Sequence, residues 1–539
     1  MERKLKGMKH VLNLVVMILV TVSVSAQKQH YVDYYENDQK SSEGWYLYGL
    51  EQGEWKYWYP NGQLKEVSVY NQGEFDGKVI RYFKNGQVMH EGCFVNGKQD
   101  NAMKSWTEEG QLVEKGYFIS GEKVGYWHYF YADGDTMMLE EYTDSLMHLW
   151  SFHTPDNEKL IKKGDGLWIS RYANDSIKEK IAYQRGLKDG KAQVFFASGQ
   201  PRFLGSYNEG DKSGNWKEWY RDGTIYEEIH YNEEGVLHGE YKKNYPSGQT
   251  EVEGSYENGK KQGVWTWYFE NGQEEMVGEF VNDLQHGPWT FYYSNGNVHY
   301  EGEYQEGEME GFWEFNYFEG QKWKAGDYKN GKKHGDWNYW FEDGSDLQAG
   351  RFEYGLEEGE WTSWFESGQM KDRGSYSAGK LDGKWEGWYP SGVVNYRGSW
   401  KGDLKVGDWE YYFENGQLHE KGTFNDKGQR HGHWVLYDPS GIKQQEGEYK
   451  NGVPHGEWSY YFPNGSPMQM ITYDEGIRDG ESITYTRRGE VLKKAEYSNN
   501  RLDGDFILYN ERTREVEQHF VYKNGQVVKV KVGKHFDKR

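Results

Sequence analysis

Five histidines stand in equivalent surroundings, so they are the first residues to test for chemistry. His238, His286, His334, His431 and His455 each precede the glycine two places before a recurring aromatic marker. Neutral imidazoles are common zinc ligands. But Asp76, Asp189, Asp382, Asp479 and Asp503 fill the same place elsewhere, as do Gln52, Ser213 and Val406. A ligand position does not vary so freely, and histidines in units some 48 residues apart do not share one ion. We read the position as turn hydrogen bonding and expect no metal. The carboxylates Glu274, Glu275 and Glu279 likewise recur unit after unit. An acid–base pair would be one special pair in a cleft, so these read as a solvated acidic face. No glycine-rich phosphate loop opens a helix, and no nucleophile motif occurs. The expectation is no catalytic residue, no cofactor and no enzyme. Cys93 is the single cysteine, which excludes an intramolecular disulfide; it reads as a tolerated small residue.

What recurs most strictly is tryptophan. Trp265, Trp289, Trp313, Trp337, Trp361, Trp385 and Trp409 are 24 residues apart, the mark of an internal repeat. One unit reads GVWTWYFENGQEEMVGEFVNDLQH, Gly263 to His286. Its aromatic run Trp265 to Phe269 favours a strand. Asn271-Gly272 then signals a hairpin whose two central residues take positive φ. Glu275 to Val281 makes a second strand, and a second turn, often Asn-Gly again (Asn258-Gly259, Asn330-Gly331, Asn451-Gly452), leads to the next tryptophan. The second strand carries a mid-strand glycine (Gly254, Gly278, Gly302, Gly326) and, two residues on, an aromatic (Tyr256, Phe280, Tyr304, Tyr328). Glycine there implies a close visitor, and ring, glycine and marker tryptophan are expected to stack along one face. The fold class expected is all-β: an extended antiparallel meander of about nineteen 24-residue hairpins forming a twisted ribbon or solenoid.

The pattern G-x-W-x-x-[YW]-[YF]-x-x-G-Q, followed by E-G-x-[YF]-x-x-G, resembles the variant MORN repeats of bacteria. The resemblance spans roughly residues 44–525 and is clearest from 205 to 465. It implies β-hairpin repeats in an extended sheet and a role in protein or membrane contacts. Bacterial members are often described as antitoxin components of toxin–antitoxin pairs, which implies a third reading beside those below, an antitoxin or immunity-like protein.

Along the chain, residues 1–26 read as a secretory signal, with a basic start, the apolar run Val11 to Val20 and small residues Val24-Ser25-Ala26. Residues 27–43 read as a polar lead-in or cap, 44–525 as the repeat domain, and 526–539 as a capping strand with a basic tail. The register breaks once. Trp127 and Trp168 are 41 residues apart, 17 more than one step. The intervening stretch 135–163 reads either as a strayed repeat with a long loop or as an insertion forming a contact site, with Met147, Trp150 and Phe152 as its candidate surface. Two steps, to Tyr241 and Trp434, are 25 residues.

A formal charge of -22 argues against nucleic acid and anionic lipid as partners. Aromatics at 17% beside only 36% hydrophobic residues fit a thin structure built on rings. Adjacent large residues on the first strand (Tyr268/Phe269, Trp340/Phe341, Trp364/Phe365, Trp388/Tyr389) are expected to point to opposite faces, one column joining the core. Trp340, Trp364 and Trp388 are therefore further candidate contact residues. The functional expectation is an exported, non-enzymatic scaffold for protein–protein contacts, periplasmic or extracellular, with no transmembrane segment after cleavage. The alternative is a module that binds envelope glycan through an aromatic ladder.

Overall fold

The computed structural model describes residues 28–144 and 146–532. Residues 1–26, read above as a signal, and the basic end Lys538-Arg539 lie outside the described residues. The chain divides into two compact units, one ending at Val236 and one beginning at Leu237. Each is a run of strands paired antiparallel to their chain neighbours, and no helix occurs among the described residues. The β-structure starts earlier than the repeat boundary read from sequence. Gln29–Tyr34 pairs with Lys40–Leu47, so most of the lead-in is itself a strand. At the other end Gln526–Val532 pairs with Val516–Lys523.

The first turn of a unit is not the two-residue hairpin expected of it. In Phe269–Gln273 only Gly272 takes positive φ, 84°. The Gly272 N–H donates to the Phe269 carbonyl and the Phe269 N–H to that of Gln273, at 2.8 Å each. This is a type I turn with a glycine bulge. Two residues of positive φ occur instead at the second turn, as in Asn258-Gly259 (51° and 81°) and Asn330-Gly331 (50° and 70°). The 25-residue steps follow from this. At Asn232–Val236 and Asn425–Gln429 the tight two-residue turn gives way to the bulged type, one residue longer. Asn271 is preferred for its side chain: Oδ1 accepts the Gln273 N–H at 3.0 Å, and Nδ2 donates to the Ser294 carbonyl of the next turn at 3.0 Å.

The stretch 135–163 is neither a loop nor an insertion but a shortened unit. Thr136–Thr143, Leu146–His153 and Lys159–Lys162 are strands, and Thr154–Glu158 forms the usual bulged turn. Leu149 pairs with Glu140 where a marker tryptophan pairs with glycine elsewhere, and it is 2% exposed. Leu149 thus marks a twentieth unit beside the nineteen read from sequence. The missing residues shorten Lys159–Lys162 and its partner at one end. The neighbouring turn fills that space: the Leu149 N–H donates to the Gly186 carbonyl at 2.7 Å, and the Gly186 N–H to that of Gly164 at 3.0 Å.

Candidate interaction surface

One face of each sheet is an aromatic strip. Each marker tryptophan except Trp168 lies on the mid-strand glycine of the strand before it. A Cβ on Gly278 would fall inside the ring of Trp289, and one on Gly254 inside that of Trp265. The indole Nε1 donates to the carbonyl of the residue after the glycine, Trp289 to Glu279 at 3.1 Å and Trp337 to Asp327 at 3.0 Å. Phe280 and Tyr328 meet Trp289 and Trp337 edge-on, with centroids 5.1 and 5.2 Å apart. Lysines roof the strip: Lys261, Lys333 and Lys405 place Nζ 4.5, 4.4 and 4.3 Å from the rings of Trp265, Trp337 and Trp409. Such contacts couple neighbouring units, which cannot bury the face alone. Of the seven tryptophans in strict register, six are no more than 3% exposed. Trp385 is only half-buried.

A second ring column completes the core, and sequence reasoning missed it. It comprises Trp267, Phe291, Phe315 and Tyr339, two residues after each marker and on the same face. Period-two alternation applied from the marker would have found it. Neither column of the adjacent pairs joins the core. The residues three after the marker lie half-buried on the opposite face: Tyr268, Tyr292, Trp340, Trp364, Trp388 and Tyr412. Tyr268 Oη donates to Glu253 Oε1 at 2.8 Å, and Tyr412 Oη to Glu410 at 2.8 Å. The residues four after the marker head the turns, where tyrosine hydroxyls reach the next unit. Tyr293 donates to the Asn316 carbonyl and Tyr389 to that of Tyr412, at 2.9 Å each.

The surface expected in 135–163 is corrected in the same way. Phe152 is 8% exposed and belongs to a core cluster with Leu149, Ile161 and Ile181, and Met147 packs against that cluster. Strand alternation sends Trp150 to the other face, stacked on His148 and donating to Glu141 Oε2 at 2.7 Å. The position three before the marker does make turn hydrogen bonds when Gln or a carboxylate occupies it. Gln262 accepts the Asn282 N–H at 3.1 Å, and Glu310 that of Asn330 at 2.8 Å. His334 differs: its Nδ1 is buried without a partner among the described residues, and its ring lies 5.2 Å from that of Tyr354.

Burial and neighbouring carboxylates push several tyrosines up to about 12, among them Tyr142, Tyr268, Tyr411 and Tyr461, while burial lowers Lys261, and burial with the neighbouring Lys324 charge lowers Lys333. A phenol whose folded pKa exceeds its unfolded 10.0 contributes stability that is complete below pH 10 and lost as pH rises through about 12. The lysines act oppositely and at lower pH, since their desolvated ammonium groups release the proton more readily when folded. Urea midpoints should therefore fall steeply between about pH 10 and 12 in step with tyrosinate absorbance. A flat profile across that range would contradict the assignment.

Concavities interrupt the opposite face and the turns. In the C-terminal unit a hollow of about 620 Å³ crosses five strands, lined by Glu360, Arg373, Lys384, Arg397, Asp408 and Glu410 among others. Arg397 donates to Tyr412 Oη at 2.6 Å and pairs with Glu410. In the N-terminal unit a groove of about 740 Å³ is lined by Tyr172, Phe196, Trp219, Tyr220 and Tyr226 with Arg202, Glu218 and Arg221.

Tryptophan-on-glycine hairpins, each locked to the next, define a β-hairpin repeat protein whose free side chains lie on one face and along the turns. Eleven segments match the MORN repeat variant family: 51–72, 75–96, 212–233, 237–258, 261–282, 285–306, 357–378, 381–401, 405–426, 430–451 and 454–475. The chain belongs to that family. No curated protein matches the sequence. Among solved structures it is similar to the TcdB2-TccC3-Cdc42 complex, at 9% identity over 91% of this chain and 32% of that one, with a TM-score of 0.12. It is similar also to the Photorhabdus luminescens Tc holotoxin pore, at 10% identity over 95% of this chain and 33% of that one, with a TM-score of 0.12. The chain spans about a third of the length of these structures, and at such TM-scores the likeness lends nothing to function. Among the described residues no helix is long and apolar enough to cross a membrane.

Proposed function

We propose that the chain is a non-enzymatic repeat scaffold that binds a partner protein through the face opposite its tryptophan strip, and that it acts at the cell envelope after export. The outer column of Trp340, Trp364 and Trp388, beside Tyr292 and Tyr412, carries this reading. These rings are held in strand register, half-buried and amphipathic, and Arg373 and Arg397 lie in the same unit. Tryptophan, tyrosine and arginine are the residues that anchor protein interfaces. Export rests on residues 1–26. The test is cross-linking capture from native envelope with residues 27–539 as bait, compared with a variant carrying Trp340→Ser, Trp364→Ser and Trp388→Ser. A stoichiometric partner should be recovered by the wild type and bind the variant at least about 30-fold more weakly. Undiminished binding of that partner would remove this face from the function.

One observation favours a second reading. The five rings lining the N-terminal groove, with Arg202, Glu218 and Arg221 beside them, suit stacking and hydrogen bonding to a sugar. Envelope glycan is the corresponding ligand. Glycan recovered without protein, and competed away by soluble sugar, would establish this reading over the first.

A further inference from the structure

Arginine is distributed unevenly along this chain. Residues 222–350 contain none, whereas Arg478, Arg487, Arg488, Arg501, Arg512 and Arg514 fall close together near the end. Four of these line one concavity of about 800 Å³ between two successive turns, Thr486–Glu490 and Asn510–Glu515. Several such turns are tied sideways by asparagine. Asn464 Nδ2 donates to the Arg487 carbonyl at 3.0 Å, just as Asn271 reaches Ser294. In the next turn Arg488 occupies that asparagine's place, and Thr486 and Asn510 stand where most turns begin with a ring. The sideways amide bond is thus absent at this step, and guanidinium groups face the gap. The turns themselves are well braced. Thr486 Oγ1 accepts the N–H groups of Arg488 and Glu490 at 3.3 Å, and Asn510 Oδ1 those of Arg512 and Thr513 at 3.0 Å.

The charges are only partly answered. Arg514 pairs with Glu490, yet its Nη1 is buried without a hydrogen-bond partner among the described residues. Glu511 and Glu517 also line the hollow. Among the described residues no carboxylate pairs with Arg487, Arg488 or Arg512. Guanidinium forks bind tetrahedral oxyanions through paired N–H groups. A single carboxylate offers too little charge to compete with the glutamates already there. A phosphate group offers more oxygens and more charge. We propose that a phosphate ester binds between these two turns, bridging Arg487 and Arg488 to Arg512 and Arg514 and supplying the sideways link that asparagine provides elsewhere.

The test is calorimetric titration of the full chain with glycerol phosphate at low ionic strength, where such contacts are least screened. Binding is expected, at least about tenfold weaker in the variant Arg488→Gln/Arg512→Gln, and unchanged in Arg185→Gln, which alters an exposed arginine of the other unit. Both altered arginines are exposed, and an unchanged urea midpoint would confirm that the fold survives. Sedimentation with phosphatidylglycerol vesicles against phosphatidylcholine vesicles separates the sources. Ester binding without vesicle binding identifies a soluble phosphate compound, and both together, both lost in the variant, identify a lipid headgroup. No binding of the ester, or equal binding by wild type and variant, would overturn the proposal.

Discussion

Trp337→Ala is expected to destabilise its part of the chain by about 3–5 kcal/mol, the cost of emptying a fully buried aromatic site. The ring is 0% exposed. It rests on Gly326, donates to Asp327, meets Tyr328 and Phe352 edge-on and lies under the Lys333 ammonium. Because repeats draw stability from adjacent units, the loss should be local. Hydrogen exchange should quicken in Lys332–Trp340 and its two partner strands, and stay slow at Val453–Tyr461. The same change at half-buried Trp385 should cost clearly less, since less apolar area returns to water. Equal losses at the two sites, read from urea midpoints, would contradict the view that the strip acts through burial.

Gly278→Ile should be as damaging, and Trp289→Ala should then relieve it. The new side chain would occupy the space of the Trp289 indole, and overpacking of a filled site costs about 1–3 kcal/mol or more. The repeats themselves contain the compensating pair. Where the glycine position holds isoleucine, the facing marker is small: Ile181 pairs with Ala192 and Ile471 with Ser482. Ser68 faces Val79, and Ala495 faces Phe506. Total volume across the two strands is roughly held while its division changes. The double variant should therefore be more stable than either single one, a non-additivity expected of residues that share one space. A double variant at the sum of the two losses would show that the glycines serve backbone freedom instead of ring access.

How much of this was legible beforehand depends on how local each feature is. Strand identity, the marker register and the stacking of tryptophan on glycine follow from side-chain period and residue size, and they stand as read. The exchange of volume between Ile181 and Ala192 is also written in the sequence, but it shows only once each glycine position is compared with the marker after it. The choice of turn was not legible from Asn-Gly, because that pair suits either a two-residue turn or a bulged one. The side-chain bond from Asn271 to the next turn favours the second, and that partner is 23 residues away. The stretch 135–163 was misjudged for a related reason. Glu140 and Leu149 replace the glycine and tryptophan that announce a unit, while the backbone pairing persists. Phe152 accordingly turned inward, because a bulge and a shortened strand reset which residues face the core. Composition and periodicity by themselves determined that this chain is a β-hairpin repeat with an aromatic strip. Only the tertiary structure decided which rings are core, which face solvent and where four arginines meet, because those depend on bulges and on turns stacked from different units.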